Sequence, residues 1–196
     1  MPYYVRKLPH WHPEGDALFV TWRLFGSLPR KVVKSWVVPP NFATYETALD
    51  CAAFGPVWLK DDRIAQVVAD ALAYGQRELR LYELVAWVIM PNHVHIVIQP
   101  FTELKKITKT LKGYTARQAN VILNREQKPF WHEESYDHWV RDRYALERIV
   151  GYVERNPVYA GFVEREDEWR WSSASAREER TGLETCSTRE THPPAT

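Results

Sequence analysis

The stretch LVAWVIMPNHVHIVI, residues 84–98, joins two apolar runs through a Met-Pro-Asn triplet at residues 90–92. β-Branched and aromatic side chains favour strands, whereas Pro and Asn favour turns. The stretch therefore predicts two antiparallel strands, at residues 79–89 and 93–99, joined by a tight turn. The second strand is unusual because two histidines, one residue apart, interrupt its apolar side chains.

The spacing of the two histidines predicts where their side chains point. Side chains on a β-strand alternate between the two faces of the sheet, so His93 and His95 should share one face with Val97. Same-face neighbours stand roughly 7 Å apart at their roots. Two imidazoles at that separation can bind one divalent ion. They can equally be hydrogen-bonded to neighbouring side chains, and the pattern alone leaves both interpretations open.

The remaining elements alternate between strand and helix patterns. Strands are predicted at 17–25 and 130–141, and helices at 42–52, 61–74, 102–124 and 142–156. The last helix is expected to end near Asn156, because Pro157 disfavours helical backbone in the residue before it. This order predicts an α+β fold in which helices pack on an antiparallel sheet. One domain, residues 1–176, is expected, with a polar and disordered tail at residues 177–196.

The composition limits the classes of function. The chain has 196 residues, 45% of them hydrophobic, and a formal net charge of +1, which indicates one domain without overall basic character. Cys51 and Cys186 lie far apart and form no CxxC motif, so neither a disulfide framework nor a zinc site is indicated. A reducing cytoplasmic location fits this cysteine usage. No apolar run approaches the length of a membrane span, so no membrane partner is expected.

One segment is basic despite the nearly neutral total. Between residues 104 and 125 there are six Lys or Arg residues and no acidic residue, which predicts a local anion-binding surface. On a helical wheel Lys105, Lys109 and Lys112 fall opposite an apolar stripe that includes Tyr114. These lysines are candidates for phosphate contacts, and a merely solvated helix face explains them equally well.

The helix predicted at residues 142–156 carries three functional groups on one flank. Arg148, Tyr152 and Asn156 follow one another at intervals of four residues, so they lie on the same side of the helix. Tyr152 is at the edge of the apolar stripe, where its hydroxyl can reach a substrate. The ordinary explanations are a tyrosine packed at a helix edge and an asparagine that stops the helix, and this pattern by itself does not decide between them.

Two motifs taken together resemble a known family. WVIMPNHVHIVI at residues 87–98 and YVERNPVYAGFV at residues 152–163 closely resemble the REP-associated tyrosine transposases. These are single-tyrosine HUH endonucleases, which act on single-stranded DNA. Further stretches extend the resemblance over roughly residues 3–176: RKLPHWHPEGDALFVTWRL, LKGYTARQAN, FWHEESYDHWVRD and WRWSSAS.

The resemblance implies a fold, a metal site and a nucleophile. The fold is ferredoxin-like, and His93 and His95 would bind Mg²⁺ or Mn²⁺ with Asn156 completing the site. Related insertion-sequence enzymes carry Gln at this last position, which is one methylene longer. Tyr152 would attack the DNA backbone, forming a 5′-phosphotyrosine and freeing a 3′-OH. The resemblance favours a monomer, with a swapped dimer as the other arrangement.

The implied partner is single-stranded or hairpin DNA from short palindromic repeats. Single strands are bound through phosphate contacts and through stacking of bases on aromatic rings. The candidate DNA-binding residues are cationic or aromatic: Lys105, Lys109, Lys112, Arg117, Trp131, Arg141 and Arg148.

Other functions compete with this interpretation. The chain could be a catalytically idle protein that binds repeat DNA, an RNA-binding domain of ferredoxin-like type, or a metal-dependent nuclease that uses water and does not need Tyr152. Tyr114 is the competing nucleophile, and it is disfavoured because the helical wheel assigns it to the apolar stripe.

Overall fold

The computed structural model of the chain describes residues 16–28, Leu49 and residues 55–176. In chain order its elements are β1 (Leu18–Leu24), a 3-10 turn (Trp58–Lys60), α1 (Asp62–Arg77), β2 (Tyr82–Ile89), β3 (His93–Pro100), α2 (Leu104–Ile122), β4 (Trp131–Trp139), α3 (Arg143–Tyr159) and a 3-10 turn (Glu166–Glu168). Apart from Leu49, the helix predicted at 42–52 lies outside the described residues, as does the tail predicted at 177–196.

The four strands form one antiparallel sheet in the order β2-β3-β1-β4. Together with the chain order β1-α1-β2-β3-α2-β4, this is the ferredoxin-like arrangement. The predicted α+β fold is therefore confirmed. Strand β3 is flanked on both sides, so the histidine-bearing strand lies in the interior of the sheet.

Helices cover both faces of the sheet. Helices α1 and α2 pack on one face around a core that includes Val20, Trp22, Ile64, Val68, Ile96 and Ile107. Helix α3 packs on the other face against Phe19, Ala86, Val88 and Val97. Along β3 the side chains alternate between these two cores as predicted, with Ile96 in the first and Val97 in the second. Within the described residues, no helix is both long and apolar enough to cross a membrane.

The β2–β3 hairpin has the predicted turn, but its first strand begins later than expected. The backbone N–H of Met90 donates to the carbonyl of His93 at 2.9 Å, which closes the turn. Strand β2 begins at Tyr82 instead of residue 79. The reason is Arg80, whose φ of 47° lies in the left-handed region and is incompatible with a strand.

Helix α3 does not end near Asn156, so that prediction is wrong. The helix continues through Pro157 to Tyr159. Its end is a Schellman motif, in which Phe162 N–H donates to the carbonyl of Pro157 and Gly161 N–H to that of Val158, both at 2.9 Å. Gly161 has a φ of 71°, and this left-handed residue terminates the helix one turn after the proline.

The buried side of α2 differs from the predicted apolar stripe. Tyr114 and Val121 are exposed, whereas the smaller residues Thr115 and Ala119 are buried. The cause is Trp131 of β4, whose indole N–H donates to Thr115 Oγ1 at 2.9 Å. The helix turns its small side chains toward this large ring, which a helical wheel cannot anticipate.

The segment after α3 fastens that helix to the edge of the sheet. Ile89 N–H of edge strand β2 donates to the carbonyl of Trp171 at 2.9 Å, and Trp87 N–H donates to Ser173 Oγ at 3.1 Å. The same Ser173 hydroxyl donates to Glu154 Oε1 on α3 at 2.7 Å. These bonds cover an otherwise unpaired strand edge and fix α3 over the sheet.

Gly151 inside α3 and Gly161 just after it give a test of this helix end. Replacing Gly161 with Ala should destabilise the protein by about 1–2 kcal/mol, because a left-handed conformation is unfavourable for a residue with a Cβ. A Cβ at Gly161 would meet no atom within 4 Å, so the cost is conformational and not steric. Gly151→Ala, inside the helix and equally unobstructed, should instead stabilise by about 0.5–1 kcal/mol. Urea unfolding measures both, and equal effects would contradict the assigned helix end.

Candidate active site

The two histidines of β3 converge in the interior of the protein. Both side chains are fully buried, and their Nε2 atoms lie 2.9 Å apart. Their rings are 4.6 Å apart between centroids and inclined by 72°. The same-face arrangement predicted from strand alternation is therefore present, and the two Nε2 atoms lie within hydrogen-bond distance of each other.

Each histidine is held by a hydrogen bond at its other ring nitrogen. His93 Nδ1 lies 2.6 Å from Asn92 Oδ1, and His95 Nδ1 lies 2.7 Å from Thr21 Oγ1. The amide nitrogen of Asn92 donates to the carbonyl of Leu49 at 2.9 Å, so its Oδ1 is the atom facing His93. Since Oδ1 only accepts, His93 donates from Nδ1 and its Nε2 carries the lone pair in the neutral ring.

Asn92 and Thr21 are partners of the histidines that the sequence interpretation missed. Asn92 carried a signal in the sequence, whereas Thr21 is recognised only from the strand pairing. Thr21 is the register partner of His95 across the β1–β3 ladder, and Asn92 directly precedes His93. Hydrogen bonds of this kind orient metal-binding histidines in known sites.

Helix α3 brings a phenol and an amide to the same place. Asn156 Nδ2 donates to the Tyr152 hydroxyl at 3.1 Å. The Tyr152 ring lies 6.1 Å from the His95 ring between centroids, and Phe19 packs against both rings. Val153 faces the core beside them, so α3 packs Tyr152 toward His95, and the hydrogen bond joins Asn156 to Tyr152.

The Asn156 side chain has an unsatisfied acceptor. Asn156 is fully buried, and its Oδ1 has no hydrogen-bond partner among the described residues. Leaving such an atom unpaired costs about 1–3 kcal/mol. Two imidazole nitrogens and one amide oxygen are suitable ligands for a divalent ion, which would satisfy this acceptor. In the described part of the chain, no group of three or more His, Cys, Asp or Glu residues could hold a metal, so an amide ligand would be needed here.

A match to a sequence model of a known family assigns the chain to that family. A sequence model of the family described as Transposase IS200 like matches residues 58–156, half of the chain. The chain belongs to the IS200-like transposase family. The matched region contains the histidine pair, Asn92 and Tyr152, and it ends at Asn156. The resemblance drawn from the two motifs is confirmed.

One curated relative is similar to part of the chain. Over 104 residues the chain is 28% identical to a protein of Haemophilus influenzae named as a REP-associated tyrosine transposase. The similar region covers 47% of this chain and 58% of the relative, so the chain spans less than two thirds of that protein's length.

Two solved structures are also similar to this IS200-like transposase. One is a REP-associated tyrosine transposase bound to a REP hairpin, with a TM-score of 0.60, 20% identity, and coverage of 92% of this chain and 87% of that one. At this identity it supports the fold alone. The other is a transposase from Deinococcus radiodurans, with a TM-score of 0.34, 15% identity, and coverage of 78% and 98%; this score is too low to support an inference.

Arg23 is a further residue that the sequence interpretation missed. It is 6% exposed, and it is the register partner of His93 across the β1–β3 ladder. Its Nη1 lies 3.4 Å from the carbonyl of Leu24 and from Ser27 Oγ. The alternation of β1 directs it to the face that carries Thr21, so a buried cation lies beside the histidines of this IS200-like transposase.

The candidate DNA-binding residues are distributed over several surfaces. Trp131 is 7% exposed and belongs to the core under α1 and α2, so the prediction that it stacks on bases is wrong. Its place in the core follows from the pairing of β4 with β1, which packs its ring edge-on against Trp22 at 6.2 Å.

Arg141 is exposed, with its guanidinium 5.6 Å from the centre of the Trp139 ring. Arg148 is exposed on α3 and lines a surface cavity with Tyr152.

The basic residues of α2 do not form the predicted single face. Lys112 Nζ donates to the carbonyl of Glu133 at 2.7 Å, so it is tied to β4. Lys105, Lys109 and Arg117 instead line a surface cavity of about 550 Å³. This cationic cavity is on α2, on the opposite side of the sheet from the histidines.

Tyr114 also lines the cavity on α2, and it is 46% exposed. The prediction that it lies in the apolar stripe is therefore wrong. The sheet still separates Tyr114 from the histidine pair, because α2 packs on the opposite face from α3. Its position in the fold, and not burial, disfavours it as the nucleophile.

The half-buried His132 of β4 makes the stability of this transposase depend on pH. Burial, followed by the positive charge of Arg23, lowers the pKa of His132 to about 4, from an ordinary value of about 6.5. Between these two values the unfolded chain binds a proton that the folded chain does not. Stability from this residue is therefore present above pH ~6.5 and is lost as the pH falls toward ~4.

This pH dependence is tested by thermal unfolding in the presence of a chelator. The melting temperature of the unmodified protein should fall between pH 6.5 and 4, and His132→Gln should make that decline shallower. His138→Gln, at an exposed position of the same strand, is the matched control and should leave the slope unchanged. An equal slope in the His132 variant would contradict the assignment.

Proposed function

We propose that this protein is a metal-dependent endonuclease and strand transferase for single-stranded DNA, which cleaves and rejoins repeat hairpins through Tyr152. The observation that carries the proposal is the hydrogen bond of 3.1 Å from Asn156 to the Tyr152 hydroxyl, beside the converging histidines. It joins the partly buried Tyr152 to a fully buried amide, and the Tyr152 ring also contacts the ring of the buried His95.

His93, His95 and Asn156 would hold the divalent ion, Mg²⁺ or Mn²⁺. A divalent ion bound there supplies positive charge that stabilises the phosphoryl oxygens of the substrate. All three ligands are neutral, so they leave that charge uncompensated. The hydrogen bonds that His93 Nδ1 and His95 Nδ1 make with Asn92 and Thr21 support this role, because they leave the two Nε2 atoms facing each other, 2.9 Å apart.

Tyr152 would act as the nucleophile. Its phenolic oxygen forms a bond to phosphorus while the bond from phosphorus to the 3′-oxygen breaks. One phosphodiester replaces another, so a 5′-phosphotyrosine retains the bond energy for rejoining. The phenol proton leaves during the attack, and the departing 3′-oxygen gains a proton to become a 3′-OH. Asn156 contributes by holding the phenolic oxygen in place through its amide N–H.

The substrate class is supported by similarity and by charge. The solved REP-associated transposase is bound to a REP hairpin, and its fold covers 92% of this chain. Cations are exposed beside Tyr152, at Arg148, and in the cavity on α2, at Lys105, Lys109 and Arg117. Exposed cations of this kind contact phosphates without reading sequence.

Tyr152→Phe tests the nucleophile. The change keeps the ring and its packing against Phe19 and removes only the attacking oxygen. Cleavage of labelled hairpin repeats in Mn²⁺ should fall by roughly a thousand-fold or more, and the covalent protein–DNA adduct should disappear from denaturing gels. Tyr114→Phe, at an exposed tyrosine of α2, is the control and should retain both.

The pattern of results separates the competing functions. Cleavage that continues in Tyr152→Phe without any adduct would identify a nuclease that uses water. Hairpin binding by the unmodified protein without cleavage would identify an idle DNA-binding protein. An adduct that is lost in Tyr114→Phe would identify Tyr114 of α2 as the nucleophile.

Thr21→Val tests the metal site through a residue that would not touch the metal. Valine matches the shape of threonine but cannot hold His95 Nδ1, so Mn²⁺ affinity should fall about 10–100-fold. Thr115→Val is a matched control, because Thr115 is a buried threonine bonded to Trp131 on the other side of the sheet. It should lower stability without changing Mn²⁺ affinity. Calorimetric titration measures both, and unchanged affinity in Thr21→Val would contradict the assigned orientation of His95.

A further inference from the structure

A second tyrosine lies against the candidate nucleophile. The rings of Tyr152 and Tyr159 are stacked on α3, with centroids 6.3 Å apart and an angle of 26° between their planes. Tyr159 is 63% exposed, so most of its ring remains open to solvent. An exposed aromatic ring next to a reactive hydroxyl can bind a flat ligand group beside the reacting atom.

The two tyrosines line one surface cavity of about 390 Å³. Three carboxylates also line it, and each has a partner: Glu147 binds Arg143 at 3.0 Å, Glu154 accepts from Ser173 at 2.7 Å, and Glu166 lies 3.7 Å from Arg155.

Arg148 lines the same cavity and makes no ion pair with any described residue. The cavity therefore combines a flat apolar surface with an available cation.

We propose that this cavity is a subsite for the nucleobase next to the cleaved phosphate, with the base stacked on Tyr159 and the adjoining phosphate bound by Arg148. The subsite rests on the proposed function, because its position is defined relative to the Tyr152 hydroxyl. Single-stranded nucleic acids are bound through this pairing of aromatic stacking with cationic contacts. Stacking accepts any base, so Tyr159 positions the strand and does not select its sequence.

The subsite gives Tyr159 a role distinct from that of Tyr152. Tyr152 would react with the phosphate, whereas Tyr159 is a positioning residue that holds the neighbouring nucleotide. Its loss should therefore raise KM for substrates with a single-stranded flank more than it lowers kcat. Substrates that end at the hairpin have no base to stack, so they should bind equally well with and without Tyr159.

The test uses a fluorescent base whose emission is quenched by stacking. Hairpins with a single-stranded flank carry 2-aminopurine at successive flank positions, and binding is measured in a Tyr152→Phe background so that no cleavage occurs. Quenching should appear at one position. Adding Tyr159→Ala should remove it and weaken binding of the flanked hairpin about ten-fold. Tyr159→Phe should restore both, because the ring suffices for stacking.

Tyr144→Ala is the matched control, since Tyr144 is 80% exposed at the other end of α3 and does not line the cavity. It should leave quenching and affinity unchanged. Quenching that persists in Tyr159→Ala, or that is absent at every flank position, would overturn the proposal. The catalytic proposal is tested separately, by adduct formation in the protein with Tyr152 intact. A protein that stacks a base without forming an adduct would contradict the catalytic proposal and leave the stacking subsite standing.

Discussion

The pairing of β1 with β3 is the constraint on which the candidate site depends. Their register sets Thr21 beside His95, and the turn that precedes β3 sets Asn92 beside His93. Burying two imidazoles is unfavourable unless their polar atoms are bonded. Because each Nδ1 has such a partner, the rings are fixed with their Nε2 atoms facing each other, 2.9 Å apart. Helix α3 can then complete the cluster only from the face to which the histidines point.

The parts of the site that follow from local periodicity could be predicted from the sequence. Alternation along β3 predicted that His93 and His95 share a face, and the spacing along α3 predicted that Tyr152 and Asn156 share a flank. Those rules act within one element and do not depend on what packs against it. The fold class followed in the same way from the order of strands and helices, and the sheet order β2-β3-β1-β4 is consistent with it.

The predictions that failed depend on contacts between elements. Trp131 has an aromatic side chain of the kind that stacks on bases. Strand pairing directs this side chain into the core, where Thr115 accepts a hydrogen bond from its indole N–H. That contact also turns α2, which exposes Tyr114. Pro157 does not end α3, because Gly161 two residues after the last helical residue completes a Schellman motif. In each case the conformation that the local sequence favours is overridden. The cause is either a packing partner distant in sequence or a later glycine that can adopt a left-handed conformation.

Stability alone does not explain the polar groups between α3 and the sheet. Buried atoms without partners also occur at Trp22 Nε1 and Asn120 Oδ1, so one orphaned atom is not a sufficient sign of function. Asn156 differs because its Oδ1 belongs to a cluster in which two imidazoles converge and a phenol accepts from the same amide. Apolar side chains of similar volume would fill this layer without leaving an acceptor unsatisfied. A sequence that keeps these groups departs from the rules of core packing at these positions, and departures of that kind are expected at functional sites.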